Sequence, residues 1–359
     1  ANGAQVAYLI TFVYHDLEDV VQVGESVDIV GDFTDWGTSP IAMTGDAGAT
    51  VFTATVMIDE GAHEFKFRAQ PGDNWDWLNT SNRSLNVTGD ATVDAYRAVS
   101  VGWAKLQWPP ATSTDVGVPT ENIYGRVYVQ NVTNPPGQGR GVRAELGYGT
   151  DADPALWATW ANMPYSGDDF NNDEFAGPIT PTIPGVYDYL VRFDGNWGPG
   201  NPNASWAYGD LDGPGTANRG VLTVTLGGTV ALDEIRIDQS GADNDEYFEL
   251  AGTPSLPLSG LTYLVLGDAT GDTGGVIEAV VDLSASSLPA DGYFVAAEST
   301  FTLGVPDLTT SLNFENGDNV THLLVAGFTG ANGQDLDTDN DGILDVIPWT
   351  GVIDCVALL

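Results

Sequence analysis

Apolar residues in this chain recur at every second position, and that spacing limits what the chain can fold into. In HEFKFRA, His63, Phe65, Phe67 and Ala69 fall on one face of an extended segment and Glu64, Lys66 and Arg68 on the other. VFTATVMI sets Phe52, Ala54, Val56 and Ile58 against Val51, Thr53, Thr55 and Met57. GVRAELGY sets Val142, Ala144, Leu146 and Tyr148 against Arg143, Glu145 and Gly147, and YDYLVRF puts Tyr187, Tyr189, Val191 and Phe193 on one side. Successive side chains of a strand point to opposite faces, so this alternation reads as half-buried strands. Glycine (44) and proline (20) interrupt the runs at short intervals, and long 3.6-residue periods are missing. One turn near 297–300 is the only helix expected. The class is all-β, built from sandwiches.

At 359 residues the chain is too long for one small core. The stretch QWPPATSTDVGVPT breaks the alternation and reads as a semi-rigid linker over 107–119. A second break falls at Gly227-Gly228, between VLTVTL and ALDEIRID. The expected modules are therefore 1–106, 120–228 and 229–359.

Charge narrows the choice of partner. Eleven Lys and Arg stand against 50 Asp and Glu, a formal charge of −39. Such a chain does not grip nucleic acid, where affinity comes from basic groups displacing counterions, nor dock on anionic lipid. Without an 18-residue apolar run, no membrane span is expected. Self-repulsion at this charge is offset by salt or by bound divalent cations. An extracellular or cell-surface setting supplies both. The single cysteine, Cys355, lies in VIDCVALL and is expected to be a buried, inert thiol. The start, ANGAQ, has no signal-peptide layout, so the expectation is a removed leader or a chain that begins inside a longer protein; VALL suggests sequence beyond the end as well.

In the first module, VDIVGDFTDWGTSPIAMTG is followed by VFTATVMIDEGAHEFKF and then DNWDWLN. Over residues 25–96 this resembles starch- and glycogen-binding modules and the related N-terminal domains of amylase-type enzymes. The resemblance implies a platform for glucose rings made by Trp36 with Trp75 or Trp77, and a polar contact from Lys66. The chemistry is suitable: an indole stacks on the C–H face of a sugar while Asp73, Asn74 or Asn79 bonds its hydroxyl edge. The structural alternative is a Trp36 that only packs across the end of the sandwich.

The second module carries Trp157, Trp160, Trp197 and Trp206 between its strands. Its NNDEF, GVYDYLVRF and WAYGDLDGP stretches resemble the immunoglobulin-like spacers of secreted bacterial nucleases and other surface proteins. Asp168, Asp169, Asp173 and Glu174 read as a solvated acidic loop, with a cation site as the alternative.

The third module, with DEIRID, EYFEL and NFENGDNVTHLL, resembles the lamin-tail domain, an immunoglobulin-like sandwich. With the second resemblance, this makes the expected architecture three tandem immunoglobulin-like β-sandwiches. DLDTDNDGILD within it alternates Asp337, Asp339 and Asp341, then places Gly342 and Asp345. Carboxylates at every second position of a tight loop converge, and calcium takes six to eight such hard oxygens at about 2.3–2.6 Å. The spacing resembles the calcium loops of thrombospondin type 3 repeats and dockerins. It departs from the EF-hand, because Pro348 stands where the bidentate Glu belongs; Asp335 is a further candidate ligand.

Nucleophile elbows, P-loops, H-E-x-x-H and Cys/His clusters are all missing from the sequence. The expectation is a non-catalytic, extracellular structural or adhesive protein, calcium-stabilised, of the surface-layer or filament kind. Its partners would be copies of itself through edge strands, or polysaccharide. The alternative is a carbohydrate-binding accessory region of a secreted hydrolase or nuclease.

Overall fold

The computed structural model describes residues 6–45, 50–71, 82–198, 200–241, 244–269, 273–312, 314 and 319–358. The first strands are β1 (Ala7–His15), β2 (Ser26–Gly31), β3 (Ile41–Ala42), β4 (Val51–Asp59), β5 (Gly61–Gln70), β6 (Arg83–Val87) and β7 (Ala91–Tyr96). A sheet in the order β4-β1-β7 faces one in the order β3-β2-β5-β6. The alternation read from HEFKFRA decides the packing. Phe65, Phe67 and Ala69 point inward onto Ile10, Phe12 and Tyr14 of β1, with Phe12 and Phe65 edge to face at 5.0 Å. Lys66 and Arg68 point outward, and Arg68 forms a two-pronged ion pair with Asp28 at 2.6 and 2.9 Å.

The chain continues through β8 (Trp103–Trp108), β9 (Ala111–Asp115), β10 (Ile123–Tyr128), β11 (Arg143–Gly149), β12 (Thr159–Met163), β13 (Tyr165–Asp169), β14 (Asn172–Gly177), β15 (Gly185–Asp194), β16 (Ala207–Gly209) and β17 (Gly220–Thr225). The sheet β13-β14-β10-β8 packs on β12-β11-β15, with β16 added beside β15. Phe175 meets Phe193 across this gap at 6.0 Å, and Gly125 leaves room for Val191 and Phe193. The segment 107–119, expected as linker, holds the end of β8 and all of β9. Thr112, Ser113 and Thr114 are acceptable strand residues once a neighbouring strand supplies the ladder.

The last strands are β18 (Val230–Arg236), β19 (Tyr247–Gly252), β20 (Leu261–Ala269), β21 (Thr273–Asp282), β22 (Tyr293–Ala297), β23 (Leu308–Thr309), β24 (Val320–Ala326) and β25 (Gly351–Leu358). The sheet β18-β19-β22-β23 faces β21-β20-β24-β25, and Phe248 stacks on Tyr263 at 3.8 Å in the core between them. Outside the second of these sheets lies a smaller cluster: Leu264, Ile277, Leu323 and Val325 are covered by Leu336, Leu344 and Trp349.

Among the described residues the architecture is all-β, with three pairs of facing sheets of immunoglobulin-like build. The chain forms two compact units, one of Ala1–Pro110, Glu121–Ile179 and Asp188–Val221, the other of Ala111–Thr120, Thr180–Tyr187 and Leu222–Leu359. No helix among the described residues is long and apolar enough to cross a membrane. Two expectations are corrected. Residues 298–301 form a hydrogen-bonded turn, Phe301 N–H to Glu298 carbonyl, while short 3₁₀ turns occur at Asp32–Gly37 and Pro154–Leu156. Cys355 is exposed: it pairs with Leu323 on the outer face of its sheet, and the covering residues stop short of the edge strand.

Candidate glycan platform and acidic loop

Trp36 sits on the turn that follows β2. Thr34 ties the turn to Gly31, accepting from its N–H at 2.8 Å and donating to its carbonyl at 2.9 Å. Asp32 anchors it to β5, accepting from the Glu64 N–H at 3.1 Å and meeting His63 Nδ1 at 2.8 Å. Burial pushes the His63 pKa down, but Asp32 and the Asp59 carbonyl outweigh it and hold the imidazole above its ordinary value. Asp35 and Trp36 then take φ of 46° and 48°, a left-handed pair that L residues adopt at a free-energy cost. The result is a tryptophan that is 44% exposed. Gly37 lies over Val30 and Arg68 on the face that also carries Lys66. Lys66 is on that face, and no contact joins it to Trp36 among those described. Trp75 and Trp77 lie outside the described residues, as do Asp73, Asn74 and Asn79.

The acidic loop is stitched to β21 by backbone bonds. Ile277 N–H donates to the Gln334 carbonyl, Gly333 N–H to Ile277 and Leu336 N–H to Gly275. Leu336 is buried and pins the loop to the sheet. Asp337 enters close to Gly275, where a Cβ would come within 2.9 Å of the Asp337 Cβ; φ there is +81°, so glycine is required twice over. Asp337 accepts from the N–H groups of Asp341 and Gly342 at 3.2 and 2.9 Å, closing the turn. One oxygen each from Asp337, Asp339 and Asp345 falls within 4.8 Å of the others. Asp345 also accepts from the Thr338 hydroxyl and N–H, which hold its carboxyl below its ordinary value. Asp341 and Asp335 instead accept from the N–H groups of Ile343 and Asp337, at 2.9 and 3.1 Å. Three carboxylates leave a hard cation's remaining positions to backbone oxygens and water.

Sequence reasoning gave the tryptophans of the second sandwich no role. The structure arranges them in a ladder with arginines. Trp157 stacks on Trp160 at 5.7 Å; Arg192 lies 3.9 Å from Trp160 and 4.3 Å from Trp206; Arg143 lies 5.4 Å from Trp206 and 4.7 Å from Trp197. Glu145 bonds both arginines. Gly147 and Gly149 of β11 make the space, since a Cβ at either would come within 2.5 Å of Trp160 or Trp157. The signal was present as Arg143, Gly147 and Gly149 at alternate positions of β11, with Arg192 on β15, but it has meaning only once the partner strands are known.

Tandem immunoglobulin-like sandwiches with an exposed aromatic turn and an acidic loop define the class of architecture here. No protein-family profile matches the chain. Over 131 residues it is 34% identical to an amylopullulanase of Thermoanaerobacterium thermosulfurigenes, a match spanning 31% of this chain and 7% of that protein. Over 126 residues it is 31% identical to an amylopullulanase of Thermoanaerobacter thermohydrosulfuricus, spanning 30% of this chain and 8% of the other. The matched stretch is thus under a tenth of these relatives. Among solved structures, the major pilin subunit of Bacillus cereus is similar over 92% of this chain and 91% of its own, at 8% identity and a TM-score of 0.20. A Hypocrea jecorina glucoamylase is similar over 25% of this chain and 17% of its own, at 16% identity and a TM-score of 0.22. Neither superposition is close enough to transfer a site or a role.

Proposed function

We propose that the chain is a non-catalytic, extracellular accessory region that contacts polysaccharide through the Trp36 turn and is stiffened by calcium at the 335–345 loop. The observation that carries the first part is an indole held in solvent by two consecutive left-handed residues. Strain of this kind persists where the surroundings enforce it, and it concentrates at binding and catalytic sites. The sequence similarity to amylopullulanases agrees, with a starch- or glycogen-type polysaccharide as the ligand. For calcium, the support is the meeting of Asp337, Asp339 and Asp345 on a loop with a closed backbone; Asp335 and Asp341 would then shape the loop more than ligate. The lamin-tail reading of 229–359 is part of the same proposal.

The test is co-sedimentation and calorimetry with amylopectin, glycogen and pullulan. The wild-type chain binds at least one; Trp36→Ala weakens that binding at least about tenfold, with stability unchanged. Equal binding by wild type and variant would refute the platform. Melting in excess calcium and in chelator tests the loop separately.

A second reading, self-assembly, is favoured by β25. It ends its sheet, and Val352 and Cys355 on it are exposed. An edge of this kind pairs with further strands unless it is blocked. Concentration-dependent growth in native mass, abolished by Val352→Lys, would support it.

A further inference from the structure

We propose that the outer face of the sheet β13-β14-β10-β8 is a separate binding surface for a neutral polysaccharide chain, laid across β8 and β10. The alternation of these two strands decides what faces out. Ala104 and Leu106 of β8, and Gly125 and Val127 of β10, are buried in the sandwich. Trp103 and Lys105, with Tyr124, Arg126 and Tyr128, therefore point outward. By the same count Trp108 would point inward. Gln107, however, is an extra residue in the pairing, and the register steps from Leu106–Gly125 to Trp108–Tyr124. A bulge of this kind re-aims the side chain that follows it. The Trp108 ring comes to 6.3 Å from that of Tyr124, with 47% of the residue exposed.

Cross-strand pairing sets the outward side chains in rows: Trp103 beside Tyr128, Lys105 beside Arg126, and Trp108 beside Tyr124. The two aromatic rows stand four residues apart on β10, about 13 Å along the strand. Between them lies the charged row. Arg126 is committed, donating to Glu174 at 2.7 Å and Asp169 at 2.5 Å. Lys105 is not. Of the eleven Lys and Arg, it is the one whose side chain has neither a hydrogen bond nor an ion pair among the described residues. The Gln107 amide and the Tyr124 and Tyr128 hydroxyls also make no hydrogen bond among the described residues. Nor does a guanidinium among them cover Trp103 or Trp108, in contrast to Trp160 and Trp206 of the ladder.

Open rings at either end of a row of uncommitted donors fit a sugar chain. A pyranose lays its C–H face on an aromatic ring and turns hydroxyls to its edge, where an ammonium, an amide and phenols bond them. A protein partner calls for an apolar centre with charge kept to the rim. Here the centre is Lys105 and Arg126, and none of the outward side chains of β8 and β10 is aliphatic. An acidic glycan gains little, because Lys105 stands next to the two carboxylates that hold Arg126 and one surface ion pair contributes little. The face shares no residue with the Trp36 turn and does not depend on it.

The experiment is calorimetry of the full chain with maltohexaose, cellohexaose, xylohexaose and chitohexaose, and with hexagalacturonate as the charged control. At least one neutral hexasaccharide binds, and Trp36→Ala retains that affinity. In the Trp36→Ala background, Trp108→Ala weakens it about fivefold or more, and Trp108→Ala combined with Lys105→Ala removes it. Trp197→Ala, at an exposed ring beside Arg143 of β11, leaves it unchanged. Circular dichroism establishes that each variant is folded. The proposal is overturned if no neutral hexasaccharide binds at roughly 20 mM, if Trp108→Ala weakens binding by less than about fivefold, if the combined variant still binds, if Trp197→Ala costs as much as Trp108→Ala, or if hexagalacturonate binds more tightly than every neutral ligand. Loss with Trp36→Ala alone would leave the Trp36 turn standing and end this proposal; loss with Trp108→Ala alone would do the reverse.

Discussion

Two groups of carboxylates in this molecule carry the same chemistry under opposite conditions. Around the fully buried Arg97, in the first compact unit, Asp16, Glu18 and Asp194 are almost out of contact with water. Burial raises the pKa of each, against hydrogen bonds to Val20 and Val21 for Asp16, Asn201 for Glu18 and Asn196 for Asp194, and against the charge of Arg97. In the same unit Asp173 is buried, accepts from the Gly139 N–H at 2.7 Å, and is pushed by burial up to about 7. In the 335–345 loop of the second unit, Asp339 and Asp345 are exposed, and hydrogen bonds hold Asp345 below its ordinary value. A buried acid escapes its penalty by taking a proton. A hydrated acid stays charged, so an acidic cluster there calls for a cation. Net charge alone does not distinguish the two groups.

The contrast breaks most severely at Arg97. Arg97→Met removes the charge that faces three buried carboxylates, and a loss of about 3–5 kcal/mol in the first unit is expected at pH 7, read by denaturant unfolding. A variant as stable as wild type would show that those acids are already protonated. Calcium probes the other group. Excess calcium is expected to raise the melting temperature of the second unit by roughly 5–10 °C over chelator. Asp337→Ala should abolish that shift; an identical shift in the variant would locate the ion elsewhere.

pH separates the groups further. Because Asp173 is raised when folded, the stability it contributes is complete below the ordinary carboxylate range and is lost as pH rises through about 7. The first unit should therefore gain stability from pH 8 to pH 5.5. Asp173→Asn should flatten that slope and stabilise the chain at pH 8 by on the order of 1–3 kcal/mol. An unchanged slope would place the titration on other groups. Asp345 has the opposite sign: its contribution is present above the ordinary range and lost as pH falls through its lowered value. The smallest effect concerns Trp36→Ala, for which a stability change within about 0.5 kcal/mol is expected, since the ring is exposed. A larger loss would mean that the indole packs more than it presents.

Much of the fold was legible in the residues. Phe65, Phe67 and Ala69 point inward because a strand leaves their side chains no other face, and Tyr189, Val191 and Phe193 follow the same rule. The acidic loop was legible as a spacing, but not the division within it. Asp337 is drawn under the loop because Gly275, more than 60 residues earlier, has no side chain to block it, and Asp335 and Asp341 turn to nearby N–H groups. Cys355 was misread because an apolar run does not reveal where the layer covering its sheet ends.

The sequence by itself determined the period, and with it the class of architecture, since side-chain alternation is a property of the extended backbone. It also determined the excess of acid. Which acids are buried, which tryptophans lie flat between arginines and which one stands in solvent depended on the tertiary structure. Desolvation, stacking and strain are set by neighbours distant along the chain, and folding chooses those neighbours.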